Sequence, residues 1–298
     1  MRGATPRWGY VVTAMVTPFD ENNAVDFGEA VALAQWLLEN GSDALVINGT
    51  TGESPTTTRA EKAALVKAIV EALGSEKVIA GVGGNNTAEV IEAAHDAKAA
   101  GASALLAVVP YYNKPSQEGL YQHFKAVASA TDLPMMLYNV PGRTITNLEP
   151  TTVVRLATDC PTIVALKEAS ANLQQIGEVL RQTPANFDVY SGDDGTILPQ
   201  LALGGCGVVS VISHVIGPDL QAVHQAWFGG APDVAATLFL KTLPIAKVMF
   251  SVPSPAPTKC ALRALGKKVG KVRLPLVDCS AAESQIILTA MEEYGLPV

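Results

Sequence analysis

The 298 residues are 48% hydrophobic and 16% charged, enough chain and enough apolar side chain for a large core without disulfide staples. A formal net charge of −7 argues against nucleic-acid binding, which takes a basic face. No apolar run reaches membrane-spanning length, so the expectation is a soluble, cytoplasmic protein without membrane contact.

At the start, Arg2 and Arg7 precede an apolar stretch from Trp8 to Val16 with the outline of a secretion signal. No A-x-A cleavage site follows, and the stretch runs on into Thr17-Pro18-Phe19-Asp20, so it reads as a first strand. From there to about Gly230, short runs rich in Val, Ile and Leu alternate with amphipathic helical stretches. The runs fall at 10–16, 43–47, 77–81, 104–109, 135–138, 162–167, 187–190 and 207–212. Continuous apolar strands of this length suit a parallel sheet covered on both faces. Between them, Asp26 with Glu29 and Asn86 with Glu89 resemble capping boxes, and Gly41 and Gly101 read as helix ends.

The joints Gly41-Ser-Asp-Ala-Leu-Val-Ile47, Gly101-Ala-Ser-Ala-Leu-Leu-Ala107 and Gly205-Cys-Gly-Val-Val-Ser-Val211 repeat one device: glycine, tight turn, strand. Eight strand–helix units make an α/β protein of the (β/α)8 TIM-barrel type. A doubly wound open sheet is the alternative and predicts a phosphate loop. The nearest candidate, Gly81-Val-Gly-Gly-Asn-Asn86, lacks the final glycine, and there is no G-x-x-x-x-G-K-[ST]. Beyond Gly230, helical stretches at 232–251, 257–267 and 280–294 are separated by prolines at 253, 255 and 257. The division expected is a barrel over 1–230 carrying the active site and a C-terminal helical extension over 231–298.

Cys160, Cys206, Cys260 and Cys279 form no C-x-x-C pair and sit among apolar or small residues, which points to buried free thiols in a reducing cytosol. His95, His123, His214 and His224 are too scattered for a metal site, and no organic cofactor motif is present. The basic cluster Lys267, Lys268, Lys271 and Arg273 reads as solvated surface.

Barrel chemistry gathers at the C-terminal ends of the strands. There the chain places Gly49-Thr-Thr-Gly-Glu53, Pro110-Tyr-Tyr-Asn113, Tyr138-Asn-Val-Pro-Gly-Arg143, Lys167-Glu168 and Ser191-Gly-Asp-Asp194, while the opposite rim is mainly Gly, Ala and Ser. Lys167 follows Ile163-Val-Ala-Leu166, so its amine points into the barrel mouth, where desolvation favours the neutral, nucleophilic form. The bland alternative is a lysine paired with Glu168; the company of the other rim residues favours chemistry. Tyr138 could reach atoms bound to Lys167 and move protons, or be a core anchor. Arg143 offers a planar fork for a carboxylate, or a surface salt bridge. Thr50 and Thr51, bracketed by glycines, let backbone amides approach a ligand. Tyr111 and Tyr112 read as exposed, able to reach a partner subunit.

These motifs resemble the dihydrodipicolinate synthase/N-acetylneuraminate lyase family of class I aldolases, from Thr13-Ala-Met-Val-Thr-Pro-Phe19 to the last helix. Gly49-Thr-Thr-Gly-Glu-Ser54, Tyr138-Asn-Val-Pro-Gly-Arg143, Lys167-Glu-Ala169, Ser191-Gly-Asp-Asp194 and Pro110-Tyr-Tyr-Asn-Lys-Pro-Ser-Gln-Glu-Gly119 resemble its synthase branch. That resemblance implies condensation of pyruvate with L-aspartate 4-semialdehyde, through an imine on Lys167, to 4-hydroxy-tetrahydrodipicolinate. It makes Tyr138, Thr50 and Tyr112 the proton relay, with Tyr112 crossing a dimer interface. Thr51 and Val209 would contact the pyruvyl group near Gly192, and Arg143 would bind the semialdehyde carboxylate. It also implies a homotetramer built as a dimer of dimers, with no metal or cofactor. Ser54, Asn85, Glu89 and Tyr111 match lysine-inhibited members. Where bacterial inhibited forms have histidines, this chain has Arg59 and Lys62, and the added positive charge should weaken feedback by lysine. A sugar-acid lyase of the same family and a catalytically silent binding barrel are the rivals; Arg143 argues against the first and the intact Lys167 against the second.

Overall fold

The computed structural model describes residues 6–298, so Arg2 lies outside it. Eight parallel strands close into a barrel in sequence order. They are β1 (Val11–Ala14), β2 (Ala44–Ile47), β3 (Val78–Gly81), β4 (Ala104–Val108), β5 (Met135–Asn139), β6 (Ile163–Glu168), β7 (Asp188–Ser191) and β8 (Gly207–Ser210). Each apolar run of the sequence became a strand, with ends that differ from the expected ones by no more than two residues. Around them lie α1 (Phe27–Glu39), α2 (Arg59–Leu73), α3 (Thr87–Ala99), α4 (Gln117–Ser129), the single turn α5 (Pro141–Thr144), α6 (Pro150–Asp159), α7 (Leu173–Gln182), α8 (Ile197–Leu203) and α9 (Ser213–Phe228). Then come α10 (Pro232–Val248), α11 (Ala256–Ala264) and α12 (Ala281–Tyr294).

Strand alternation sorts the side chains into two cores. Val12, Ala14, Val46, Ile79, Leu106, Met136, Tyr138, Ala165 and Val209 fill the barrel interior, while Leu45, Leu105, Leu137 and Leu166 pack outward under the helices. Burying each such branched side chain contributes about 1.5–3 kcal/mol, which fixes the register: a one-residue slip would exchange the two faces. A third cluster joins Val11 and Val208 of the barrel to Phe239, Ile245, Ile287 and Met291 of the C-terminal helices.

Several local expectations are corrected. Trp8 does not belong to the first strand; it is buried at the base of the barrel, its ring 6.2 Å from that of Tyr190. Asp26 does cap α1 through the Glu29 N–H, but Glu29 spends its carboxylate on Lys268, and Asn86 caps α3 at Ala88. Reciprocal boxes form instead at Thr58/Glu61 and Ser280/Glu283. Gly41 and Gly101 both have φ near +92°, as helix-ending glycines do. The glycines at and just beyond the end of β3 serve packing: a Cβ at Gly81 would meet Asn48 O at 2.4 Å, and one at Gly83 would meet Val108 N at 2.3 Å. All four cysteines are free, Cys160 and Cys260 buried and Cys206 and Cys279 partly so. Among the described residues no helix is long and apolar enough to cross a membrane.

Candidate active site

Lys167 follows Ala165 on the inward face of β6, while Leu166 and Glu168 point out. Glu168 is therefore not its partner: it accepts from Asn139 Nδ2 at 3.0 Å, Gln175 Nε2 at 3.1 Å and Ser170 N at 2.8 Å. Lys167 is 5% exposed, and burial pulls its ammonium down from the usual lysine range to about 8. The Asp194 carboxylate opposes that shift and the Arg143 cation assists it.

Tyr138 lies beside Lys167 because the two are register partners across β5 and β6. The lysine Nζ sits 4.2 Å from the centre of the phenol ring. Burial raises the Tyr138 hydroxyl above its ordinary range, countered by the Arg143 cation and by the nearby Thr50 hydroxyl. Thr50 and Thr51 come from a turn after β2, closed by Glu53 N donating to Thr50 O at 3.1 Å. Thr17 Oγ1 fastens the same turn by donating to Gly52 O at 2.7 Å.

These groups enclose a cavity of about 180 Å³ lined by Thr50, Thr51, Tyr138, Arg143, Lys167 and Gly192, among others. Gly192 is a glycine for a spatial reason: a Cβ there would lie 2.7 Å from Ala169 Cβ and 3.0 Å from Lys167 Cε. Arg143, on the one-turn α5, lines this cavity and an adjoining one of about 260 Å³, and it has no ion-pair partner among the described residues. Two adjoining spaces, one beside an amine and both beside a free guanidinium, suit the joining of a small keto acid to a second carboxylate-bearing reactant.

Two expected residues stand elsewhere. Val209 lies deeper, in the barrel's interior cluster, and Val211, two residues further toward the mouth, lines the cavity together with Val140. Tyr112 is 86% exposed with a left-handed φ of 73°, and it touches neither cavity. Tyr111 lines the larger one. Sequence reading placed Asp194 on the rim but gave it no role; its Oδ2 accepts from Val211 N at 3.0 Å and Ile212 N at 3.1 Å, tying the β8 loop to the β7 loop. It missed Phe250 and Ser254, which bring the C-terminal region into the cavity wall.

The six residues of the expected lysine site spread over two spaces. Ser54, Lys62 and Tyr111 line the 260 Å³ cavity; Arg59, Lys62 and Glu89 line one of about 310 Å³ between α2 and α3. Asn85 holds the rim, donating from Nδ2 to Tyr111 O at 3.2 Å. Arg59 is already paired with Glu92 and Asp96. Burial lowers the Lys62 ammonium.

A closed barrel with a desolvated lysine at its mouth and a phenol against it has the framework of a class I, Schiff-base aldolase. The chain belongs to the dihydrodipicolinate synthetase family, whose model matches residues 8–293. It is 50% identical over 287 residues to the 4-hydroxy-tetrahydrodipicolinate synthase of Bacillus subtilis, covering 96% of this chain and 99% of that one. The synthase of Moorella thermoacetica is 49% identical over 97% of this chain and 99% of its own. Among solved structures, DHDPS from Cyanidioschyzon merolae with lysine bound superposes with a TM-score of 0.96 at 47% identity, covering 98% of this chain and 100% of that one.

Proposed function

We propose that this enzyme condenses pyruvate with L-aspartate 4-semialdehyde to give 4-hydroxy-tetrahydrodipicolinate, a step toward diaminopimelate and lysine. The observation that carries the reading is the pairing of Lys167 with Tyr138 across neighbouring strands, inside a cavity that Arg143 also lines. The neutral Lys167 amine attacks the pyruvate keto carbon, and loss of water leaves an imine. Removal of a methyl proton gives the enamine, which attacks the semialdehyde's aldehyde carbon. The substrate amino group then closes on the imine carbon and expels Lys167.

Tyr138 and Thr50 carry the protons, a role supported by the nearness of the Thr50 hydroxyl to the phenol. Thr51, Gly192 and Val211 shape the pyruvyl pocket, with Val209 supporting it from below. Arg143 takes the semialdehyde carboxylate. Tyr112 completes the relay of a neighbouring subunit in a homotetramer, a role its exposure permits. The enzyme works in the cytoplasm as a barrel over 1–230 with a helical extension over 231–298. Lysine inhibits it weakly, and with Arg59 matched by two carboxylates the repulsion falls mainly to Lys62. Strong inhibition at sub-millimolar lysine would sink that last point.

Pyruvate-dependent turnover with aspartate semialdehyde, N-acetylmannosamine and glyceraldehyde tests the activity. Turnover confined to the semialdehyde is expected; preference for a sugar aldehyde refutes the role given to Arg143. Borohydride reduction with pyruvate should add mass to the peptide bearing Lys167, and labelling elsewhere refutes the assignment.

A further inference from the structure

Glu53 closes the turn that carries Thr50 and Thr51, yet its side chain leaves the mouth and runs toward the C-terminal helices. Its φ of 55° is left-handed, a conformation that a non-glycine residue keeps when its surroundings impose it. Facing it from α11 is Lys259, with Nζ 2.8 Å from Glu53 Oε1 and both side chains 0% exposed. The contact is between charges more than an aligned hydrogen bond, since Oε1 lacks a well-directed donor. Lys259 Nζ also donates to Lys271 O at 2.8 Å and sits 4.2 Å from the centre of the Phe19 ring.

The other carboxylate oxygen, Oε2, accepts from Arg273 N at 2.8 Å. The Arg273 guanidinium in turn donates to Thr56 O at 2.8 Å, Asn23 O at 2.6 Å and Glu61 Oε1 at 2.6 Å. Arg273 is thus not the solvated surface residue its sequence neighbourhood suggests; it locks the C-terminal segment onto the β2 loop.

A buried ion pair is weak evidence for stability, because an apolar pair of the same volume often serves as well. Its location is more telling. Glu53 stands two residues beyond Thr51, which with Thr50 lines one wall of the Lys167 cavity, and Lys259 stands five beyond Ser254, which with Phe250 lines another. We infer that Glu53 and Lys259 are positioning residues for the reaction: their buried contact sets the Thr50–Thr51 wall against the Phe250–Ser254 wall and so aims the Thr50 hydroxyl at Tyr138. Neither touches substrate; both act through Thr50. The inference rests on the Schiff-base reading above.

The test compares wild type with Glu53→Gln and with the double variant Glu53→Gln/Lys259→Met. Functional sites are counted by pyruvate–borohydride labelling of Lys167, and kcat and KM are expressed per labelled site beside Tm. Both variants should lose about ten- to a hundred-fold in kcat per labelled site, the effect of a small misplacement at the chemistry. The double variant, with no unpaired charge inside, should nevertheless recover most of the Tm lost by the single one. A kcat per labelled site within about two-fold of wild type in either variant overturns the inference and leaves the pair a structural one. Should neither fold, Arg273→Gln keeps the pair but cuts its ties to Thr56 and Asn23; several-fold lower kcat per labelled site is expected, and an unchanged value overturns the inference. If wild type itself does not label at Lys167, the Schiff-base reading falls instead.

Discussion

Raising the pH should switch Lys167 on well below the range in which lysines ordinarily lose their proton. Only the neutral amine attacks a carbonyl, and in this cavity the ammonium gives way at about 8. At pH 7 roughly one site in ten is then neutral, against about one in 3,000 for an exposed lysine, a gain of about 300-fold in reactive amine. The assay mixes enzyme with saturating pyruvate, quenches with borohydride at timed intervals and reads the labelled fraction by intact mass, from about pH 6 to about pH 10. The initial rate should climb about tenfold per pH unit, bend near 8 and level off. Asp194 favours the ammonium and Arg143 disfavours it, so Asp194→Asn should move the bend to lower pH and Arg143→Gln to higher pH. A wild-type rate still rising tenfold per unit beyond about pH 9, or both variants shifting the bend the same way, refutes the reasoning.

Removing the buried charge should stabilise the fold while ending catalysis. A lysine lowered from 10.5 to about 8 carries a penalty of about 3 kcal/mol below the folded value, and losing its contact with the Tyr138 ring returns about 1 kcal/mol. Lys167→Met should therefore raise Tm by a few degrees near neutral pH. That advantage should fade as pH rises from about 8 toward 10.5, because the wild-type native state is then already neutral; an advantage that persists undiminished there counts against the argument. Gly192→Ala pushes a methyl against Lys167 and Ala169, so kcat should fall about ten- to a hundred-fold with Tm less affected; unchanged kinetics would mean the lysine is not displaced. Thr58→Ala removes the capping box of α2 and should cost about 1 kcal/mol in denaturant unfolding while kcat holds.

The barrel was legible because each strand is an apolar run ended by a turn residue, and burial on both faces demands that composition. Lys167 was legible for a related reason: period-two alternation after Ala165 leaves a lysine aimed at the interior, where charge is costly enough to require an explanation. Val209 and Val211 have the same parity in the apolar run 207–212, so alternation alone could not say which one reaches the cavity. Arg59 read as added charge because the sequence does not bring Glu92 and Asp96 beside it. Phe250, Ser254 and Lys259 lay in a proline-broken helical stretch with no strand-end signal. Lys259 did leave one trace, a cation set before Cys260-Ala-Leu262 in a short helix of small and apolar residues whose one other charge is Arg263.

The wall that Phe250 and Ser254 add to the cavity also bears on the order in which a ribosome delivers the parts. When the eighth strand has emerged, the lysine, the phenol and the threonine turn have been synthesised, but Phe250 and Ser254 of the cavity wall and the cation that pairs with Glu53 have not. A chain cut at that stage lacks one wall of the pocket, the cation for Glu53 and the apolar helices that cover Val11 and Val208. The chemistry therefore waits on residues made well after the last strand, Phe250, Ser254 and Lys259.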